Sequence, residues 1–388
     1  MEMKCGGLAV WVLYAGLSCL LLSGCAARPG SGSSAEERQC ASGDGEACLK
    51  LGDKLVDSSR DDLDRQAALE YFRRGCRLEN FKACSMAALL EHMLEGGDMD
   101  DEAGMAERLR RSCEQGVGPA CGMYAILHYA GEGVPRDIGR AIEYAGRACS
   151  LNTSRSCMML HHIYYDGVAV REDLHLSAVY AERACALGDG TGCSERGTMY
   201  ERGQGGSRSP VQARKYFERA CKLDDALGCM NLGRWYRNGD NATPDYTRAR
   251  EYSSRACDLG EGGGCTNLGA DYVFGNGVKP DYVRAHQLLG QACGMDDDQG
   301  CAILGSLYQN GIGVRADFAR AAYYYERACK LNVKYGYGCM ELGDLYKNGL
   351  GVSQDMDRAL EYYGKACDLG SQKGCDAYRE LLPELQRP

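Results

Sequence analysis

Residues 221–257 read CKLDDALGCMNLGRWYRNGDNATPDYTRAREYSSRAC. Cys221 follows Arg219-Ala220, and a short turn leads to Cys229 eight residues later. From Cys229, Leu232, Gly233 and Tyr236 fall at offsets 3, 4 and 7, one face of a 3.6-residue helix. A loop with Gly239 follows, then Asp245, Ala249 and Tyr252, until Arg255-Ala256-Cys257 starts the pattern again. First cysteines stand at 40, 76, 113, 149, 185, 221, 257, 293, 329 and 367, in steps of 36 to 38 residues. Second cysteines stand at 48, 84, 121, 157, 193, 229, 265, 301, 339 and 375, eight residues on except for Cys339, which is ten. A fixed period takes precedence over any single motif. A unit of 36 residues cannot bury a core alone, so units must stack on their neighbours. The expected fold is all-α: a right-handed α/α solenoid (superhelix) of about nine 36-residue helix-turn-helix repeats.

In each unit the second cysteine is read as opening helix A, and an Asp (Asp137, Asp173, Asp245, Asp281, Asp317, Asp355) as starting helix B, where its charge complements the helix dipole. Gly recurs four residues after the second cysteine, at Gly52, Gly197, Gly233, Gly269, Gly305 and Gly343. A mid-helix Gly costs about 1 kcal/mol relative to Ala, so a repeated one implies a close neighbour. Tyr is abundant (25) and Phe scarce (5), read first as a structural tyrosine column.

The first 25 residues read as a lipoprotein signal peptide. Leu8 to Leu22 is an apolar run too short for a comfortable membrane span, and it ends in Leu22-Ser23-Gly24-Cys25. This resembles a bacterial lipobox, which implies lipidation of Cys25; Ala26 at the next position favours the outer membrane. Residues 26–36, with Arg28-Pro29-Gly30-Ser31-Gly32-Ser33-Ser34, read as a flexible tether. Residues 37–382 read as the solenoid and 383–388 as a tail, with Gln372 to Leu382 a lone final helix stopped by Pro383. The expected location is the cell envelope, as an outer membrane lipoprotein facing the periplasm or the surface.

Outside the cytosol, paired cysteines read as disulfides. With Cys5 and Cys19 removed and Cys25 lipidated, the remaining cysteines pair evenly, and ten local disulfides are expected. Five lie in the first half of the array: Cys40 with Cys48, Cys76 with Cys84, Cys113 with Cys121, Cys149 with Cys157, and Cys185 with Cys193. Five follow: Cys221 with Cys229, Cys257 with Cys265, Cys293 with Cys301, Cys329 with Cys339, and Cys367 with Cys375. A C-x7-C spacing is not a zinc or iron–sulfur spacing, and the six His do not follow the period. No metal or cofactor is expected. The net charge of −9 is read as lacking a basic patch or Arg/Lys-rich run, which argues against nucleic acid as a partner.

Leu232-Gly233-x-x-Tyr236, Gly239, Ala249, Tyr252 and Ala256-Cys257, with their copies over roughly 40–378, resemble the Sel-one-like repeat, a cousin of the tetratricopeptide repeat. The added cysteine pairs resemble its secreted, cysteine-rich bacterial members. The resemblance implies a concave groove lined by the A helices.

Positions that break the repeat's own columns are the candidates for function. His161 replaces Gly or Ala at offset 4, and His128 replaces Tyr at offset 7. Tyr129 and Tyr165 stand at offset 8, where Glu201, Arg237, Gln309 and Lys347 occur; Met123 and Met159 stand at offset 2 among Glu and Asn. Phe274 stands where Asn238, Asn310 and Asn348 occur. Tyr129, Tyr165, Met123, Met159, His162 and Phe274 are therefore the candidate contacts for a protein or peptide partner. Repacking around the bulk of His161 is the competing explanation. Trp235 is read as core, because its column is read as Leu, Met and Ile.

Catalysis finds little support. S-x-x-K, S-D-N, K-T-G and G-x-S-x-G are absent from the sequence. The reading is a lipid-anchored, non-catalytic envelope scaffold. The alternative is a β-lactam- or peptidoglycan-fragment-binding protein with weak β-lactamase-type activity, which labels on cysteine-rich members of the family suggest.

Overall fold

The structure, a computed structural model, describes residues 34–58, 62–94, 102–239, 243–331 and 336–385. The signal peptide, Cys25 and most of the tether lie outside the described residues. The chain divides into two compact units, residues 1–151 and 152–388.

Among the described residues every regular element is a helix. The first unit holds α1 (Ala35–Ala41), α2 (Gly45–Ser58), α3 (Asp62–Arg77), α4 (Phe81–Leu94), α5 (Glu102–Glu114), α6 (Gly118–Ala130) and α7 (Ile138–Ser150). The second holds α8 (Ser154–Asp166), α9 (Leu174–Ala186), α10 (Gly190–Arg202), α11 (Pro210–Lys222), α12 (Ala226–Asn238), α13 (Tyr246–Asp258) and α14 (Gly262–Phe274). It continues with α15 (Tyr282–Gly294), α16 (Asp298–Asn310), α17 (Phe318–Lys330), α18 (Tyr337–Asn348), α19 (Met356–Asp368) and α20 (Gln372–Leu385). Even-numbered helices are A helices and odd-numbered ones B. Within each unit an A helix packs on the B helix that follows it, each B packs on the next A, and successive A helices touch, as α2 with α4 or α12 with α14.

The A helices begin three residues before the second cysteine, or two in α18. Asp225 and Asp297, four residues before Cys229 and Cys301, are the N-caps: their Oδ1 atoms accept from the amides of Gly228 and Gly300, both at 2.7 Å. Each cap also holds the preceding A helix. Thr266 Oγ1 donates to Asp297 Oδ1 at 2.5 Å, and Ser194 Oγ donates to Asp225. The Asp residues before helix B are caps too; Asp245 and Asp317 accept from the amides of Arg248 and Arg320 at 3.0 and 2.9 Å.

The loop between A and B is fixed by turn chemistry. Gly239 ends α12 in the left-handed region (φ 71°), where a Cβ is strained. The Asp245 amide then donates to the Tyr236 carbonyl at 2.9 Å, closing the loop; Asp281, Asp317 and Asp355 repeat this bond. The tyrosines that frame the loop stack: Tyr236 on Tyr252 at 5.6 Å, Tyr308 on Tyr324 at 5.5 Å, and Tyr346 on Tyr362 at 5.6 Å between centroids. Arg248, Arg320 and Arg358 cover the other side of the A-helix ring.

In most repeats the mid-helix glycine lies against a large side chain of its own helix B, twenty positions on; Gly233, which faces Ser253, is the exception. A Cβ on Gly197, Gly305 or Gly343 would meet the ring of Phe217, Tyr325 or Tyr363 at 2.6 to 2.9 Å, and all three rings are at most 1 % exposed. In these three repeats one large B side chain is seated on bare A backbone.

Across the B-to-A junctions the expected cysteine pairs are bonded. In the first unit these are Cys40–Cys48, Cys76–Cys84 and Cys113–Cys121. In the second they are Cys185–Cys193, Cys221–Cys229, Cys257–Cys265, Cys293–Cys301, Cys329–Cys339 and Cys367–Cys375. Cys149 and Cys157 are disulfide-bonded as well. The two extra residues between Cys329 and Cys339 do not prevent the bond: their Cα atoms are 4.7 Å apart, against 4.5 Å for Cys113–Cys121 and Cys185–Cys193. These sulfurs are interior groups, since Cys113, Cys121, Cys185, Cys193, Cys265 and Cys329 are all buried.

In four repeats the Arg two positions before the first cysteine does not serve its own helix end. It reaches back to the end of the preceding helix B: Arg74 to the Ala41 carbonyl (3.1 Å), Arg147 to that of Glu114 (3.3 Å), Arg219 to that of Ala186 (3.4 Å), Arg327 to that of Cys293 (2.8 Å). A guanidinium there meets the negative end of a helix dipole.

Two boundaries differ from the sequence reading. Residues 35 and 36, expected in the tether, belong to α1, which a capping box of Ser34 and Glu37 starts at Ala35. α20 continues through Pro383 to Leu385 rather than stopping at 382. Proline's fixed φ is compatible with helix, and here it forfeits one hydrogen bond in the last turn.

Candidate functional site

The A-helix faces carry the column breaks, and each unit is described on its own. In the first unit, α6 presents Tyr129, 37 % exposed. Met123 is half-buried and packs on the cluster around Leu109, Tyr124 and Leu127. His128 belongs to the interior. It is 1 % exposed, its Nδ1 donates to the Pro135 carbonyl at 3.3 Å, and its ring stacks on Tyr144 at an interplanar angle of 6°. It substitutes for the loop-framing tyrosine.

In the second unit, α8 exposes His162 while Met159 and Tyr165 are half-buried. The Tyr165 hydroxyl accepts from Gln204 Nε2 at 3.4 Å, so this ring is tied to the loop that follows the next A helix, α10. Other ties run along the same row: Glu201 to Arg234 (2.8 Å) and Gln309 to Glu341 (3.4 Å). Phe274, the last residue of α14, is 71 % exposed. Of the six sequence candidates, Tyr129, His162 and Phe274 face solvent, and Met123, Met159 and Tyr165 are shared between surface and packing.

His161 is 1 % exposed. Its Nδ1 lies 2.8 Å from Ser177 Oγ and its Nε2 3.8 Å from Glu195. This serine–histidine–carboxylate row has the membership of a hydrolytic triad without its access: Ser177 is fully buried, so no substrate carbonyl reaches its oxygen. Burial pushes His161 below its ordinary pKa, against the Ser177 backbone contact and Glu195, which pull it up.

Asp271 is the residue that the sequence reading missed. It stands in the same column as Trp235, among Leu127, Ile163, Met199, Leu307 and Leu345, so that column is not purely apolar and Trp235 is only partly buried. Asp271 is fully buried; it accepts from Arg237 Nη2 at 2.8 Å and Asn276 Nδ2 at 3.2 Å. Arg237 also donates to the Asn267 side chain and carbonyl, at 3.2 and 2.9 Å. Burial raises the Asp271 pKa although Arg237 opposes it. The break in its own column was the available signal.

These features define a helix-hairpin repeat protein with disulfide-stapled junctions. Residues 45–80, 118–153, 155–189, 192–225, 226–261, 263–297, 298–333 and 336–371 match the Sel1 repeat, and the chain belongs to that family, whose members are in general protein-interaction scaffolds. Residues 81–117, between the first two matched stretches, are not matched. A Sel1 repeat protein from Oxalobacter formigenes is similar at 26 % identity and a TM-score of 0.55, covering 59 % of this chain and 93 % of that one. A protective antigen of uropathogenic Escherichia coli displaying an SLR fold is similar at 20 % identity and a TM-score of 0.47, covering 90 % of each chain. Helicobacter pylori cysteine rich protein B is similar at 35 % identity and a TM-score of 0.29, covering 34 % of this chain and 92 % of that one. No curated protein matches the chain. The many disulfides mark an extracytoplasmic protein. No helix of the described residues is long and apolar enough to cross a membrane.

Proposed function

We propose that this chain is a lipid-anchored scaffold of the cell envelope that takes up a protein or peptide partner on its A-helix face, without catalysing a reaction. The observation that carries this reading is Phe274. A large apolar ring is left 71 % exposed at the end of an A helix, where α12, α16 and α18 place Asn238, Asn310 and Asn348. Burying such a ring on association is favourable by about 1.5–3 kcal/mol, and rigid aromatics are typical anchors of interfaces. Tyr129 and His162 supply further exposed groups on the same kind of face. The anchor is supported by the Leu22-Ser23-Gly24-Cys25 sequence, and outer membrane placement by Ala26.

The test is crosslinking capture from an envelope extract by the mature chain and by a Tyr129→Ala, His162→Ala, Phe274→Ala variant. The expected result is one or a few proteins enriched by the first and lost with the second at an unchanged melting temperature. Enrichment indifferent to these residues would sink the assignment of the face. Mass spectrometry of the mature N-terminus tests the anchor: a free amine at any residue other than Cys25 contradicts it.

A further inference from the structure

One junction staple departs from the others. The paired cysteines from Cys40 to Cys339 are all buried, none more than 7 % exposed, whereas Cys367 and Cys375 are both half-buried. A disulfide is attacked only where a thiolate can reach one of its sulfurs, and buried structural cysteines are inert. Burial therefore sets this bond apart from the rest.

The order of the helices accounts for the difference. Each staple joins the end of a helix B to the start of the next helix A, and the helix B that follows packs over it. Ala148 and Tyr144 of α7 lie over Cys113–Cys121, Ala220 and Tyr216 of α11 over Cys185–Cys193, and Ala366 and Tyr362 of α19 over Cys329–Cys339. The covering alanine is in each case the residue directly before the next first cysteine. Cys375 lies on α20, and among the described residues no helix follows α20. Its staple has no such cover.

The same arrangement leaves α20 with one helix B beside it, where the A helices within the array have two. It packs on α19 through Leu381, Ala377 and Tyr378, which meet Tyr363 and Ala359. A helix of 14 residues is marginal in water on its own. The covalent tie therefore carries a larger share of its placement than at a junction closed on both sides.

We propose that Cys367–Cys375 is a thiol–disulfide exchange site, opened by an external dithiol while the other staples stay closed, and that its opening loosens α20 on α19. A thiolate of the dithiol bonds one of the two sulfurs, the Cys367–Cys375 bond breaks, and the other cysteine leaves as a thiolate. The second thiol of the reagent loses its proton and attacks the mixed disulfide. That step frees the first cysteine and closes the reagent's own disulfide. Two electrons and two protons have then passed to the protein, which ends with two thiols. The site does not involve the residues proposed above as partner contacts.

The test uses the full mature chain without denaturant, with dithiothreitol as the dithiol. Samples are alkylated at intervals, and each cysteine is read by peptide mass spectrometry. Cys367 and Cys375 are expected to label together, roughly tenfold or more faster than any other pair, at a rate that low urea leaves unchanged because the sulfurs are reached in the folded state. After this selective reduction, amide hydrogen exchange should quicken roughly tenfold or more in α20 and stay as it was in α14. A Cys367→Ser, Cys375→Ser variant should lose the fast labelling phase and show the quickened exchange without reductant. Should that variant fail to fold, the wild-type labelling and exchange decide. A different pair opening first, a rate that climbs with urea because unfolding must precede attack, or α20 exchange indifferent to reduction overturns the proposal.

Discussion

His161 and Ala181 show how one residue is set by another. In five of the six repeats with Gly at offset 4, the residue twenty positions on is large (Phe72, Phe217, Leu289, Tyr325 or Tyr363) and a Cβ on the glycine would collide with it; opposite Gly233 it is Ser253. Where His161 replaces Gly, position 181 is Ala, fully buried; where Ala125 does, position 145 is Ala. At His161 bulk has moved from helix B to helix A, in keeping with a close-packed interior. Ala181→Phe alone is expected to cost roughly 1–3 kcal/mol by overpacking. The His161→Gly, Ala181→Phe double variant is expected to be more stable than the sum of the single changes, by roughly 0.5–3 kcal/mol in urea unfolding. Strict additivity would contradict the pairing. The sequence showed His161 as a break in a column. It did not show the compensating Ala181, because an Ala among the many alanines of helix B attracts no notice.

His161 also makes a pH prediction. Its folded pKa lies below the unfolded value of 6.5, so the unfolded chain takes up the proton first. Stability from this group is complete above about 6.5 and is lost as pH falls through that value toward the folded pKa. The groups facing it are Ser177, Glu195, His162 and Asp166. Between pH 7.5 and 5.5 the wild type should lose more melting temperature than His161→Gln. Parallel losses would show that His161 is not the titrating group.

At the scale of elements, helix type and number were legible, because a strict period carries its own phase. Helix starts were less so. The sequence marks the cysteine as the opening of helix A, whereas Asp225 and Asp297 cap it one turn earlier, and they bond the preceding A helix as well. Such double use depends on what lies 31 residues upstream, and local sequence does not display it. Asp297→Ala is expected to cost about 1–2 kcal/mol, with Asp297→Asn closer to wild type. Equal losses from both, in guanidinium unfolding, would mean that the capping oxygen is not what matters. The tyrosine column was legible as structure, and the stacked pairs Tyr236–Tyr252 and Tyr308–Tyr324 show what it does. The reach of Arg74 or Arg327 to the neighbouring repeat was not legible, because residue type near a helix end does not say which helix end is served.

At the scale of the molecule, a repeat array has mostly neighbour contacts, so its stability is close to a sum of local terms. A disulfide closing so short a loop contributes about 2–3 kcal/mol in the chain-entropy account. All 20 cysteines from Cys40 to Cys375 are bonded, so denatured, unreduced protein should show no free thiol and full reduction should add about 20 hydrogens. Cys221→Ser with Cys229→Ser should lower stability by about 2–3 kcal/mol. A negligible change would remove the junction staples from the account. The family and the cysteine framework could be read from the sequence because both are periodic. Even the off-period Cys329–Cys339 pair was legible, since its neighbours fix the register on either side. The exposure of Phe274 could not be read, since it depends on which neighbours a side chain finds.

The central claim is that partners dock on the A-helix face. The most direct measurement is site-specific photocrosslinking in cells, with a photoreactive residue in place of His162 or Phe274 on A helices, or of Val179 or Val211, which are 48 % and 58 % exposed on B helices. The account predicts discrete adducts from the A-helix positions and none from the B-helix positions. Adducts from Val179 or Val211 alone, or equally from all four, would contradict it.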